Sequence, residues 1–251
     1  MNYQDINAKT VDGWVEEGWE WGTPLTHEEY LAARQGDWQM LLTPLRPVPK
    51  AWYPPLTGRR VLGLACGGGQ QMPVFTALGA QCTVLDYSLK QLESERMVAQ
   101  REGYEIEAVR ADMTKPLPFV DGSFDLIFHP VSNCYIEEVL PVWRECFRVL
   151  KPGGRLMAGM DNGFNYLTDW DDPVIRYRLP YNPLKDKALF ERALAGEDGI
   201  QFSHTLDEQI RGQIQAGFSL LDLYEDVASD GISAKFNVPA YWATLAQKPL
   251  S

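Results

Sequence analysis

Residues 61–70, Val-Leu-Gly-Leu-Ala-Cys-Gly-Gly-Gly-Gln, carry an apolar run straight into Gly67, Gly68 and Gly69. A turn needs one glycine, sometimes two. Three in a row mark a loop whose backbone something approaches closely. Seventeen residues beyond Gly69 stands Asp86, at the end of the apolar run Cys82-Thr-Val-Leu. A carboxylate at that place can accept both hydroxyls of a ribose. Asp112-Met113 follows a third run, and a fourth, Phe124-Asp-Leu-Ile-Phe-His129, ends on a histidine with Asn133 just beyond. With an ordinary pKa of about 6.5, a histidine there is suited to proton transfer. It can equally serve as a hydrogen-bond partner for a ligand or a loop carbonyl.

The elements that must position these residues are legible in outline. Arg60–Cys66 reads as a strand buried on both faces, and Gln70–Leu78 as a helix closed by Gly79. Strands at Cys82–Asp86, Glu105–Arg110, Phe124–His129 and Arg155–Met160 alternate with helices over Ser88–Arg101 and after Pro141, the latter stopped by Lys151-Pro-Gly-Gly154. The alternation predicts an α/β fold with a doubly wound, mostly parallel sheet and helices on both faces. Residues 161–204, rich in Asp, Tyr, Pro and Asn, interrupt the rhythm as a cap insert. A capping box at Thr205–Glu208 then opens a helix ending near Gly217, and two strands follow, Ser219–Asp226 and roughly Pro239–Ala246. Ahead of the sheet, residues 1–57 hold five of the eight tryptophans. A second capping box, Thr26–Glu29, predicts a helix running towards Leu42, and five prolines between residues 44 and 55 make an extended connection. The expected division is a helical, aromatic-rich lid over 1–57 and a main domain over 58–251.

A formal net charge of −11 repels phosphate backbones and disfavours DNA or RNA as a partner. The sequence holds no apolar run of membrane-spanning length and no basic, apolar leader, so the expectation is a cytoplasmic protein acting on a small molecule, as a monomer or homodimer. Cys66, Cys82, Cys134 and Cys146 form no Cys-x-x-Cys pair and no metal-like spacing with His27, His129 or His204, so no metal site is expected. A dinucleotide loop would need a third glycine where Met72 stands, which argues against a nicotinamide-dependent oxidoreductase.

Val61 to Gly69 resembles the first motif of the class I S-adenosylmethionine-dependent methyltransferases, with Ala65 in place of that motif's first glycine and Gly63 where its acid would stand. Asp86, Asp112-Met113, Phe124–His129 and Leu150-Lys-Pro-Gly-Gly-Arg-Leu156 follow in that family's order. The resemblance implies a seven-stranded sheet of order 3-2-1-4-5-7-6 whose last strand is antiparallel. It also implies an enzyme that moves a methyl group from S-adenosyl-L-methionine to a small-molecule acceptor, leaving S-adenosyl-L-homocysteine. Ala65, Gly67, Gly69, Gln71, Asp86, Tyr87, Asp112, Met113 and His129 are then the cofactor candidates, with Asp86 on the ribose, Asp112 on the adenine amino group and Met113 against the ring. His129 and Asn133 are the catalytic candidates. The alternative is a cofactor-binding sensor or partner protein without catalysis, suggested by Gly63 and Ala65. Trp14, Trp19, Trp21 and Tyr30 are expected to pack, with their segment bordering the pocket. His204 is expected at the surface or at a helix cap, and Asp169, Asp171 and Asp172 in a solvated loop.

Overall fold

The computed structural model describes residues 2–169 and 172–250; Asp171 of the acidic run lies outside them. Two helices come before the sheet. The first, α1 (Tyr3–Glu16), begins where the Asn2 side chain accepts the Asp5 amide at 2.8 Å. The second, α2 (His27–Arg34), carries the expected capping box between Thr26 and Glu29. It stops well short of Leu42. Gly36 turns left-handed at φ +92°, and Leu41 then bridges Pro47 in an antiparallel contact.

Seven strands follow: β1 (Arg60–Leu64), β2 (Gln81–Asp86), β3 (Glu107–Arg110), β4 (Phe124–His129), β5 (Leu150–Asp161), β6 (Ser219–Asp226) and β7 (Tyr241–Gln247). They form one sheet of order β3-β2-β1-β4-β5-β7-β6, parallel through β5, with β7 antiparallel to both of its neighbours. This is the order that the resemblance implies. The Lys151–Gly154 run, expected only to stop a helix, is itself the first part of β5, where a register shift against β4 absorbs it.

Helices α3 (Gln71–Ala77) and α4 (Leu89–Glu102) cover one face of the sheet together with α2, around Val61, Phe75, Val84, Leu92 and Phe128. On the other face, α5 (Leu140–Val149) packs Val142, Trp143 and Cys146 on Leu62, Leu64, Ile127 and Leu156. Val61 faces one way and Leu62 and Leu64 the other, the period-two alternation of a strand buried on both sides. Beyond β5 come α6 (Lys187–Ala195), inside the insert, and a π turn at Asp207–Arg211 that runs into α7 (Gly212–Gln215). The short α8 (Gly231–Lys235) links β6 to β7. Because the first five strands are parallel, their carboxyl ends meet along one rim, where open α/β sheets bind ligands.

Candidate active site

The three glycines do different jobs. Gly67 and Gly69 sit in the left-handed region at φ +80° and +81°. Gly68 does not; a Cβ there would lie 1.9 Å from the Gln91 carbonyl oxygen. What comes close to the middle glycine is the backbone of α4. Ala65 holds φ +46°, the conformation a glycine takes for free, at a cost of about 1 kcal/mol for a residue with a Cβ. Gly63 has no room for an acid, since a Cβ would lie 2.4 Å from the Cys66 sulfur and 2.8 Å from that of Met72. A carboxylate reaches the loop from another direction. Glu95, fully buried on α4, accepts the Gly69 amide at 2.6 Å and the Tyr104 hydroxyl at 3.2 Å. Burial pushes its carboxyl up to about 7.

A cavity of about 930 Å³ opens along the rim. Ala65, Gly67, Gln71, Asp86, Tyr87, Asp112 and Met113 all line it, each at or just beyond the carboxyl end of β1, β2 or β3. Gly69 instead turns its amide to Glu95. Burial pushes the Asp86 carboxyl up to about 6, against the amides of Ser88 and Tyr87, with Asp12 adding to the rise. The Asp112 carboxylate is oriented by the Thr114 amide at 2.8 Å and hydroxyl at 2.7 Å. Gln91 was not singled out by sequence. It lines the cavity while its Oε1 is buried with no hydrogen-bond partner among the described residues. An orphaned acceptor beside the glycine loop fits a ligand that brings a donor, as the ammonium of S-adenosyl-L-methionine does. The acceptors on the wall, the carboxylates of Asp86 and Asp112 and the Gln91 amide oxygen, therefore fit the hydroxyl, amino and ammonium donors that this cofactor carries.

His129 and Asn133 lie behind the cavity wall. Both are fully buried. His129 Nδ1 donates to the Leu64 carbonyl at 2.7 Å, and Nε2 lies 2.8 Å from the Asn133 side-chain amide. The ring stands edge-on to Trp143, and burial holds its pKa below the usual value. A neutral ring donating through Nδ1 accepts through Nε2. That turns the Asn133 nitrogen towards His129 and, with the Gln209 amide turned likewise, lets the Gln209 nitrogen donate to the Asn133 oxygen at the 3.1 Å contact between the two side chains. The pair ties β4 to β1 and to the π turn. As a base facing an acceptor, His129 lacks the access that the role needs; its spacing fitted, but its rotamer points into the protein. His204 is neither at the surface nor a cap. It is 5% exposed, and its Nε2 donates to the Asn133 carbonyl at 3.0 Å, joining the end of the insert to the loop after β4.

The other end of the cavity is built by segments distant in sequence. Asp161 closes β5, and Phe164, Tyr166, Tyr181 and Arg192 come from the insert. Helix α1 straps the two ends together. The Tyr87 hydroxyl donates to Asp5 at 3.0 Å, and Asp12 accepts the Ser88 hydroxyl and the Lys90 amide. Towards the insert, Asn7 bonds Ile200 N and O and the Tyr135 carbonyl, while the Trp14 indole donates to the Glu197 carbonyl. Trp14, Trp19 and Trp21 border the cavity, whereas Tyr30 stacks on Tyr104 away from it. The four thiols are buried, and burial raises the pKa of each, so none is a ready nucleophile.

Comparison with known proteins agrees with this fold. The family described as Methyltransferase domain matches residues 62–158. The uncharacterized methyltransferase YbaJ of Bacillus subtilis is 42% identical over 227 residues, covering 88% of this chain and 89% of its own. A demethylmenaquinone methyltransferase of Lactococcus lactis is 30% identical over 207 residues, covering 78% of this chain and 77% of its own. Among solved structures, an S-adenosylmethionine-dependent methyltransferase from Mesorhizobium loti superposes with a TM-score of 0.63 at 23% identity, over 79% of this chain and 95% of that one. No helix among the described residues is long and apolar enough to cross a membrane. With its sheet order, its glycine loop and these relatives, the chain belongs to the class I S-adenosylmethionine-dependent methyltransferases.

Proposed function

We propose that this chain methylates a small molecule held between the β5 end of the cavity and the insert, with residues 1–57 acting as a lid. The observation that carries the reading is the continuity of one cavity from Asp86 to Asp161, roofed by α1. Its volume of about 930 Å³ is at the upper end of the range for small-molecule sites, roughly 300–1,000 Å³. That leaves room for a cofactor and a modest acceptor.

S-adenosyl-L-methionine supplies a methyl carbon already activated by its sulfonium. The work left to the chain is to hold, aim and exclude water. Asp86 and Asp112 would hold the two polar edges of the nucleoside, and Gln91 Oε1 would accept a hydrogen bond from the ammonium. The tryptophans of the lid keep the site dry. Orienting an acceptor along one axis contributes up to about 7–11 kcal/mol to such a reaction. The relative named as a demethylmenaquinone methyltransferase is consistent with a small-molecule acceptor. The non-catalytic alternative rested on Gly63 and Ala65. Ala65 keeps the loop's left-handed turn, and the space at Gly63 is filled by sulfur, so the loop holds its shape despite both departures.

Calorimetric titration with S-adenosyl-L-methionine and S-adenosyl-L-homocysteine, on wild type and Asp86→Ala, tests the reading. Micromolar binding is expected, weaker by tenfold or more in the variant, about 1.4 kcal/mol. Absence of binding by the wild type overturns it.

A further inference from the structure

Asp161 is a buried acid to which the proposed cofactor contacts assign no role. It ends β5 and is 4% exposed. The residue lines the cavity; its Oδ1 accepts the Gly163 amide at 2.9 Å, and its Oδ2 is shielded from water with no hydrogen-bond partner among the described residues. An unpartnered carboxylate oxygen out of water is costly and is kept where something arrives to meet it. Burial has pushed this carboxyl up to about 6.

The surroundings decide what can arrive. Tyr135, Tyr166 and Tyr241 share the wall with Asp161. None of their hydroxyls bonds Oδ2: Tyr166 donates to Gln201 at 2.8 Å, and the Tyr241 oxygen accepts from Asn165 at 3.1 Å. Asp169, Asp198 and Asp230 add further acidic groups to this end. Against them, Arg192 is the one cation among the described lining residues. It is already engaged, 2.5 Å from Asp169 and over the Tyr177 ring at 5.0 Å. An anionic acceptor would meet carboxylates and find no free cation. A basic nitrogen would find a carboxylate oxygen waiting and aromatic faces around it, the surroundings that hold ammonium groups.

We propose that Asp161 anchors the methyl acceptor and that the acceptor carries a basic nitrogen, which the Asp161 Oδ2 oxygen accepts from within the tyrosine wall. The inference rests on the small-molecule methyltransferase reading and specifies its substrate class.

The test is a charge series on wild type saturated with S-adenosyl-L-homocysteine. Phenethylamine, 3-phenylpropanol and 3-phenylpropanoate are titrated in turn, and binding is read by tryptophan fluorescence and by ligand-observed NMR. The amine is expected to bind at least tenfold tighter than the alcohol or the carboxylate. Asp161→Asn is expected to abolish that preference while leaving affinity for S-adenosyl-L-homocysteine within twofold. Equal or tighter binding of the carboxylate, no amine binding at millimolar concentration, or an undiminished preference in Asp161→Asn overturns the proposal. If the variant does not fold, the wild-type series decides alone. Failure of S-adenosyl-L-homocysteine itself to bind wild type overturns the methyl-transfer reading, and the proposal falls with it; intact product binding with no amine preference counts against Asp161 only.

Discussion

The two ends of the cavity are made differently. At the β1–β3 end, each ligand-facing residue lies within a few positions of a strand's carboxyl end, so its placement is a local matter of strand length and turn. At the β5 end, the wall is assembled from α1, the loop after β4, the insert and the β6–β7 connection, held by bonds such as Asn7 to Ile200 across 193 residues of sequence. Such loops, placed by a rigid sheet, carry much of the variation among proteins that share one fold. The contrast teaches that the β1–β3 end is a property of the sheet, while the β5 end is a property of this particular chain's long-range contacts.

The sharpest way to break the β1–β3 end is Gly68→Ala. The new Cβ would lie 1.9 Å from the Gln91 carbonyl, so the loop and α4 must separate. We expect a loss of about 3 kcal/mol in stability, the upper part of the overpacking range, together with loss of cofactor binding. Thermal unfolding and calorimetry check both.

Asn7→Ala is the matching break at the β5 end. It removes three hydrogen bonds and strands two carbonyls and an amide, for an expected cost of about 2 kcal/mol. Amide exchange is expected to quicken around residues 197–202 while the β1–β3 end stays protected. Equal quickening at both ends would erase the distinction between them.

Glu95→Gln sharpens the comparison through pH. Because burial raises the Glu95 pKa from 4.5 to about 7, the folded chain holds that proton more tightly than the unfolded one. This carboxyl therefore destabilises the fold increasingly as pH rises from 4.5 to about 7, and its cost is full above that. Glutamine keeps an oxygen for the Gly69 amide without the charge. The variant's gain in melting temperature is expected to grow over that window and level off above it; a gain independent of pH contradicts the account.

The smallest expected effect is at Ala65. Glycine would relieve a left-handed alanine worth about 1 kcal/mol but adds chain entropy on unfolding, so Ala65→Gly should stabilise by about 0.5 kcal/mol. A denaturant midpoint that falls would show that the methyl group packs favourably.

Strand and helix alternation, read from apolar runs and glycine stops, placed β1, β2 and β4 within a residue or two, because strands buried on both faces leave a continuous apolar record. The same reading overextended α2, since the stop at Gly36 depends on its positive φ, and it found no start for α1, whose cap is a single asparagine. Among site residues, Asp86 and Asp112 were legible because chain position alone puts them on the rim. Glu95, Gln91 and Asp161 were not. Nothing in a sequence distinguishes a carboxylate turned under a glycine loop, or one facing a cavity, from a solvated one.

The sequence by itself determined the sheet, its order through the motifs it shares with the methyltransferases, and which residues line the β1–β3 rim, because those follow from periodicity and from what lies next to a strand's end. Tertiary structure alone decided that His129 is buried behind the cavity wall and tied to Leu64 and Asn133, that Gly68 makes room for α4, and that Asp161 lines the cavity with one oxygen unpartnered among the described residues. Those outcomes depend on which rotamer fits against groups as far away as Gln209, and on burial, which only the folded chain supplies.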